Sequence, residues 1–264
     1  MVKLKNYTVV LQHFGLLLTF FIGVSCADQK YFVSKMEGKK ISIDKSQNTA
    51  TANAQQIENF IKPYRDHVDK DLSEVIAYSS ENLDKSKGQW QSNIGSFMAD
   101  ITLEKSNAVF NKREHKNIDI CLLNHGGIRA VIPKGNVTAR NAYEVMPFEN
   151  SAIVIALKGE QILEMTNYII AEKKPHPLAG MTFTISTNNN PINILIQGKP
   201  LDVATVYYVV TSDYLSNGGD NMTFFKKRVL QFDLDYKLRN ILIDYFKEVD
   251  TLRINSNLRI TKEL

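Results

Sequence analysis

The sequence predicts an α/β (α+β) fold of mixed β-sheets covered by helices, and three observations carry that expectation. Short apolar runs of strand length, such as Ile118–Leu123, Ala152–Leu157 and Val206–Thr211, recur along the chain. Longer stretches with apolar residues at helical spacing, such as Glu160–Glu172, lie among them. The two kinds interleave without the strict alternation that would build one parallel sheet from βαβ units. Composition agrees. A chain of 264 residues, 44% hydrophobic and 23% charged, is ordinary globular material, which excludes collagen-like, disordered and disulfide-framework classes. A formal net charge of +4, spread without runs, excludes a dedicated nucleic-acid binder.

The first residues differ from the rest. Lys3 and Lys5 precede a charge-free run from Val9 to Val24 that ends at the small pair Ser25-Cys26. This is the pattern of a secretory signal, and residues 1–25 are expected to form a lipoprotein-type signal peptide. A spanning helix needs about 20 apolar residues. Here Gln12 and His13 interrupt the run, and Asp28 and Lys30 follow closely. Cys26 stands where a bacterial lipoprotein signal carries its acylated cysteine. Gly23 takes the position three residues earlier where leucine is usual, so simple cleavage near Ala27 stays open beside lipidation of Cys26. The expected location is accordingly export, as a membrane-anchored lipoprotein on the periplasmic side or the cell surface, and otherwise periplasmic. One lipid anchors a chain without making it span. Loss of Lys3 and Lys5 lowers the net charge to +2. Cys121, left alone in the apolar run IDICLL, reads as a small buried hydrophobe with no disulfide partner in the chain.

Residues 26–54 read as N-terminal strand or strands and a linker. Strand-like stretches in Tyr31–Asp44 flank the turn signal Glu37-Gly38-Lys39, and a polar Ser/Asn/Thr/Ala stretch follows. From Gln55 to Lys70 the residues Ile57, Phe60, Ile61, Tyr64 and Val68 recur at helical spacing, with Pro63 arguing against a straight helix. The main domain is expected over 55–264. Its strand candidates are Ser73–Ser79, Ile118–Leu123, Ala152–Leu157, Met181–Ser186, Ile192–Ile196 and Val206–Thr211. Its helical patterns are Ile94–Asn107, Ala139–Val145, Glu160–Glu172 and Tyr236–Val249.

Three stretches carry chemistry. Asn124-His125-Gly126-Gly127-Ile128-Arg129 follows an apolar strand directly. Paired glycines let the backbone turn sharply and approach a ligand, and strand ends are where α/β proteins place sites. Arg129 adds a planar, permanently charged fork suited to phosphate or carboxylate. Pro147-Phe148 closes a short helix that Thr138 is placed to cap. Tyr214-Leu215-Ser216-Asn217-Gly218-Gly219-Asp220 again follows a strand. Asp220 can accept two hydroxyl hydrogen bonds from a ribose, while Tyr214 and Phe148 can stack on a flat base from its two sides. Taken singly, a Gly-Gly turn, a core phenylalanine and a loop tyrosine are common; their combination is not.

In this order of motifs the sequence resembles the C-terminal domain of the 5'-nucleotidases. Asn-x-Gly-Gly-Ile-Arg after a strand, then Pro-Phe, then an aromatic before Asn-Gly-Gly-Asp is that family's sequence of features. Asn93-Ile94-Gly95 at a helix start, Leu157-Lys158-Gly159 before a helix and Ala179-Gly180-Met181 before a strand add to it. The resemblance runs from Gln55 to the end and implies the family's layered fold. It implies that Asn124 and Arg129 hold the ribose and phosphate side, that Phe148 and Tyr214 sandwich the base, and that Asp220 binds ribose hydroxyls. Gly126, Gly127, Asn217, Gly218 and Gly219 belong to the same substrate-binding set. Three departures stand out. The family's further phosphate-binding arginine is missing upstream, where residues 87–92 read Lys-Gly-Gln-Trp-Gln-Ser, and Lys87 is only a point charge. Asn221-Met222 follows Asp220 in place of Gly-Phe or Gly-Tyr, and His125 occupies a usually small position.

In this family, hydrolysis belongs to an N-terminal metallophosphatase domain with two divalent metals, which polarise the phosphate and generate the attacking hydroxide. After the leader the chain has four histidines, His67, His115, His125 and His176, with no His-x-His or Asp-x-His. The expectation is therefore no catalytic residue, no metal ligand and no cofactor on this chain. It is read as the nucleotide or nucleoside-recognition subunit of a split 5'-nucleotidase, with the divalent metals in a separately encoded metallophosphatase partner. The alternative is a stand-alone nucleoside- or nucleotide-binding surface lipoprotein without catalysis.

Overall fold

The computed structural model describes residues 12–13, 35–40 and 51–263. The chain divides into two units, Met1–Gln56 and Ile57–Leu264. In the first, residues 35–40 are exposed and carry no regular secondary structure. The rest of the expected signal peptide, Cys26, the remainder of Tyr31–Asp44 and the linker up to residue 50 lie outside the described residues. Helix α1 (Thr51–Ser73) begins inside the stretch read as linker, where Ala52 and Ala54 are strong helix formers, and it runs through Pro63.

The second unit is built on a five-stranded mixed sheet with strand order β10-β4-β9-β2-β5. Its members are β2 (Ile120–Leu122), β4 (Ser151–Lys158), β5 (Leu178–Ala179), β9 (Val206–Ser212) and β10 (Leu230–Lys237). Side chains alternate between two cores. Cys121, Ala152, Val154 and Val210 face one core, together with residues of α2 (Asn93–Glu114), α3 (Ala139–Val145) and α6 (Leu238–Glu248). Ile120, Leu122, Ile153, Ile155 and Val209 face the other, with residues of α4 (Gly159–Glu172) and β6 (Met181–Ile185). A sheet covered on both faces explains why its central strands read as unbroken apolar runs. Cys121 is fully buried, which pushes its thiol pKa up and leaves it the small hydrophobe the sequence suggests.

Two smaller sheets complete the unit. β1 (Val75–Ser79) pairs with β3 (Gly135–Thr138), and β6 lies in a four-stranded sheet with β7 (Pro191–Ile196), β8 (Lys199–Pro200) and β11 (Ile260–Lys262). Helix ends follow local chemistry. Ser92 caps α2 by accepting the Gly95 N–H at 3.2 Å, and His115 closes it in the left-handed conformation. Thr138 and Asn141 form a capping box at α3, as its position in the sequence suggests.

Several elements depart from expectation. α2 continues past Asn107 to Glu114, because Phe110 still buries its ring in the core. Tyr236 and Lys237 belong to strand β10, and α6 starts only at Leu238. β3 and β11 are short strands at the margins of the fold.

The C-terminal strand is fastened by Arg259, which is 6% exposed. Its guanidinium donates to the carbonyls of Ser96 and Leu178 and pairs with Asp100 at 2.6 Å. Burial raises the Asp100 pKa, and the Arg259 charge opposes that rise. Arg259→Met would leave this carboxylate and two carbonyls without their partner. Urea denaturation is expected to register a loss of about 2–3 kcal/mol; an unchanged midpoint would contradict this role.

Candidate binding site

Strand directions decide where the functional loops meet. β2 and β9 run parallel, with Ile120 opposite Val209 and Cys121 opposite Val210, so both end on the same side of the sheet. β4 is antiparallel to β9 with Ala152 opposite Ser212, so the residues just before β4 arrive at that same side. The Thr211 hydroxyl donates to the Leu122 carbonyl at 2.8 Å and ties the two parallel strand ends together. The three stretches singled out from the sequence are thereby gathered at one sheet end.

After β2 the chain makes a tight 3₁₀ turn over His125–Gly127, closed by the Gly127 N–H donating to the Asn124 carbonyl at 3.1 Å. A Cβ on Gly127 would sit 2.8 Å from Asn124 Oδ1, so only glycine lets the Asn124 side chain fold over the turn. Asn124 then donates through Nδ2 to Asp220 Oδ2 at 2.7 Å. Arg129 is exposed and forms no ion pair among the described residues; its Nη1 lies 3.4 Å from the Gly126 carbonyl oxygen.

After β9 a one-turn helix, α5 (Asp213–Ser216), presents Tyr214, and the loop that follows returns to it. The Tyr214 hydroxyl donates to Asp220 Oδ1 at 2.8 Å and accepts the Asp220 N–H at 3.1 Å. The hydrogen bond to Asp220 raises the Tyr214 pKa. Gly219 lies flat against the ring, since a Cβ there would be 2.4 Å from Tyr214 Cε1. Asp220 and Asn221 both take left-handed backbone angles, φ 50° and 60°. That conformation favours glycine and tolerates Asn and Asp, so Asn221 can fill a position where the family carries glycine.

The lining of one cavity of about 370 Å³ is Asn124, Gly126, Gly127, Arg129, Phe148, Asn150, Tyr214 and Asp220. Phe148 and Tyr214, 42% and 47% exposed, present their rings to it. Asn217, Gly218 and Gly219 line a neighbouring cleft instead, which shares Asn150 and Tyr214. The Asn217 side chain is turned back, donating to the Asp213 carbonyl at 2.9 Å. These three residues shape the Tyr214–Asp220 loop and do not line the first cavity.

Sequence reasoning missed several residues. Asn150 follows Phe148 by two positions, and that spacing was the available signal. Tyr168 of α4 donates to the Asp220 carbonyl at 2.7 Å, and no local pattern marks it; partial burial pushes its pKa up to about 12. Lys85, rather than Lys87, reaches the strand-end turn, donating to the Ile128 carbonyl at 2.6 Å. His125 donates its backbone N–H to His176 Nδ1 at 3.2 Å, so that nitrogen must be unprotonated. Burial holds the His176 pKa down at about 4, and burial together with the Lys85 charge lowers that of His125.

Comparison with known proteins gives a consistent picture. The family model "5'-nucleotidase, C-terminal domain" matches residues 74–227. The trifunctional nucleotide phosphoesterase YfkN of Bacillus subtilis is 26% identical over 203 residues, which are 70% of this chain and 14% of that protein. A 5'-nucleotidase of Vibrio cholerae is 22% identical over 204 residues, 74% of this chain and 35% of that protein. Among solved structures, a 5'-nucleotidase precursor from Thermus thermophilus superposes with a TM-score of 0.66 at 26% identity, covering 78% of this chain and 42% of that one. The chain thus spans less than half the length of each of these relatives.

The His176 shift has a consequence for stability. A histidine with a folded pKa near 4 and an ordinary unfolded value near 6.5 binds fewer protons when folded between those pH values. Its contribution is fully present above pH 6.5 and is lost as the pH falls toward 4. The melting temperature should therefore drop between pH 7 and 4.5, and the drop should shrink in His176→Gln; an equal drop in both proteins would contradict the assignment.

Proposed function

The chain belongs to the 5'-nucleotidase C-terminal domain family, and from that premise we propose that it is the nucleotide- or nucleoside-recognition subunit of a split 5'-nucleotidase. Phosphate-ester hydrolysis would be performed together with a separately encoded metallophosphatase that brings the divalent metals. The observation that carries this reading is that Asn124, Arg129, Phe148, Tyr214 and Asp220 line one cavity.

Each side chain has matching chemistry. A planar base enters between the exposed rings of Phe148 and Tyr214, where stacking contributes about 1–3 kcal/mol. Each oxygen of Asp220 accepts one protein hydrogen bond, and a carboxylate oxygen has a second lone pair to receive a ribose hydroxyl. Arg129 offers a phosphate its planar fork. Among the described residues no cluster of three or more His, Cys, Asp or Glu is placed to hold a metal ion. These residues do not fit a dimetal centre, and no step of the hydrolysis is assigned to them.

The same proposal includes export and a lipid on Cys26, supported by the leader pattern alone. Among the described residues no helix is long and apolar enough to cross a membrane. A second reading, a stand-alone nucleoside-binding lipoprotein, is favoured by one observation: among the described residues, Arg129 is the one cation lining the cavity.

Calorimetric titration with AMP and adenosine separates the readings. The first expects AMP to bind about tenfold or more tightly than adenosine, with Arg129→Ala erasing the difference. It also expects metal-dependent phosphate release from AMP when a metallophosphatase is added, in a rate that depends on this chain. Equal affinities would favour the nucleoside reading, and no heat with either ligand would contradict both.

A further inference from the structure

The wall that carries Phe148 is not held by its own sequence neighbourhood. Residues 147–150 form no helix or strand, and the Phe148 ring is exposed on the cavity side. The segment is instead gripped from the junction of β10 and α6, which lies beyond the residues matched by the family model. Lys237 Nζ donates to the Glu149 carbonyl at 2.8 Å, and the Leu238 N–H donates to the Asn150 carbonyl at 3.0 Å. Arg239 completes the set. Its Nη1 donates to the Pro147 carbonyl at 3.3 Å, and its Nη2 pairs with Glu149.

Arg239 is placed to act as a fixed strut. It is 7% exposed, and its guanidinium lies 4.2 Å from the centre of the Tyr143 ring. An arginine stacked on an aromatic face and forked to two acceptors loses little further freedom, and its planar geometry sets the direction of both contacts. The two contacts land on the residues immediately before and after Phe148. Its backbone is thereby bracketed by a side chain about ninety residues further along the chain.

We propose that Arg239 is a positioning residue for Phe148, and that through it the β10–α6 junction sets how firmly the cavity holds the planar base of its ligand. This rests on the reading of Phe148 and Tyr214 as a base clamp. Arg239 is not among the residues that line the cavity, so its removal should affect ligands in proportion to their need for Phe148.

The test compares AMP with ribose 5-phosphate, which has no base, by calorimetric titration of the full chain. Arg239→Gln is expected to weaken AMP about tenfold and leave ribose 5-phosphate unchanged. Phe148→Ala should do the same, and the double variant should be no weaker than Phe148→Ala alone. Hydrogen exchange of the Leu238 amide, which donates to the Asn150 carbonyl, should quicken in Arg239→Gln before any ligand is added. Glu149→Gln, at an exposed side chain, should reproduce the selective loss at about two- to threefold. Equal weakening of both ligands, or losses that add in the double variant, would overturn the positioning role while leaving the base clamp standing. Failure of the unaltered chain to bind AMP would overturn the base clamp and this proposal together.

Discussion

Asp220 is the residue through which the candidate site is assembled. Its carboxylate takes one hydrogen bond from Asn124, which follows β2, and one from Tyr214, which follows β9. Its backbone N–H returns to Tyr214, and its carbonyl receives the hydroxyl of Tyr168 from α4. Segments far apart in sequence are thus joined at a residue whose own backbone adopts the uncommon left-handed conformation. Such a conformation costs on the order of 1 kcal/mol or more and persists where surrounding contacts over-determine it. Here the contacts that hold it also orient the tyrosine ring and the asparagine amide that border the cavity.

That junction depends in turn on the sheet. The central strands are apolar on both faces because each face is covered, and the resulting rigidity keeps the ends of β2 and β9 adjacent. Loops carry binding groups where a rigid scaffold fixes their roots. Two loops are rooted at parallel strand ends, and the third enters antiparallel β4 at the same edge. The glycines serve this arrangement by close approach: Gly127 admits the folded Asn124 side chain, and Gly219 admits the Tyr214 ring.

Much of this was legible in the sequence, for identifiable reasons. Helix α3 was bounded correctly because its capping residue and its buried positions coincide with simple patterns. β4 and β9 were visible as apolar runs because both faces of the sheet are buried. β10 was missed although Leu230, Phe232, Leu234 and Tyr236 alternate with polar residues. Asp233 and Asp235 are poor strand formers, and Asp235 breaks the regular backbone with a positive φ. Around the cavity, the lining residues that fall in short motifs are legible in the sequence, while Tyr168 and Lys85 are not. Both contribute through contacts between distant segments, and no local spacing encodes such contacts. In the stretch before Asn93, where the family's arginine is missing, the sequence points to Lys87, whereas Lys85 is the lysine that reaches the turn, in a loop fastened by the Asn93 side chain.

The most direct measurement is a crystal structure of the chain grown with AMP. The base should lie between Phe148 and Tyr214, the ribose hydroxyls on Asp220, and the phosphate toward Arg129. AMP bound away from this cavity, or seated in it with the base outside the two rings, would contradict the assignment of the site.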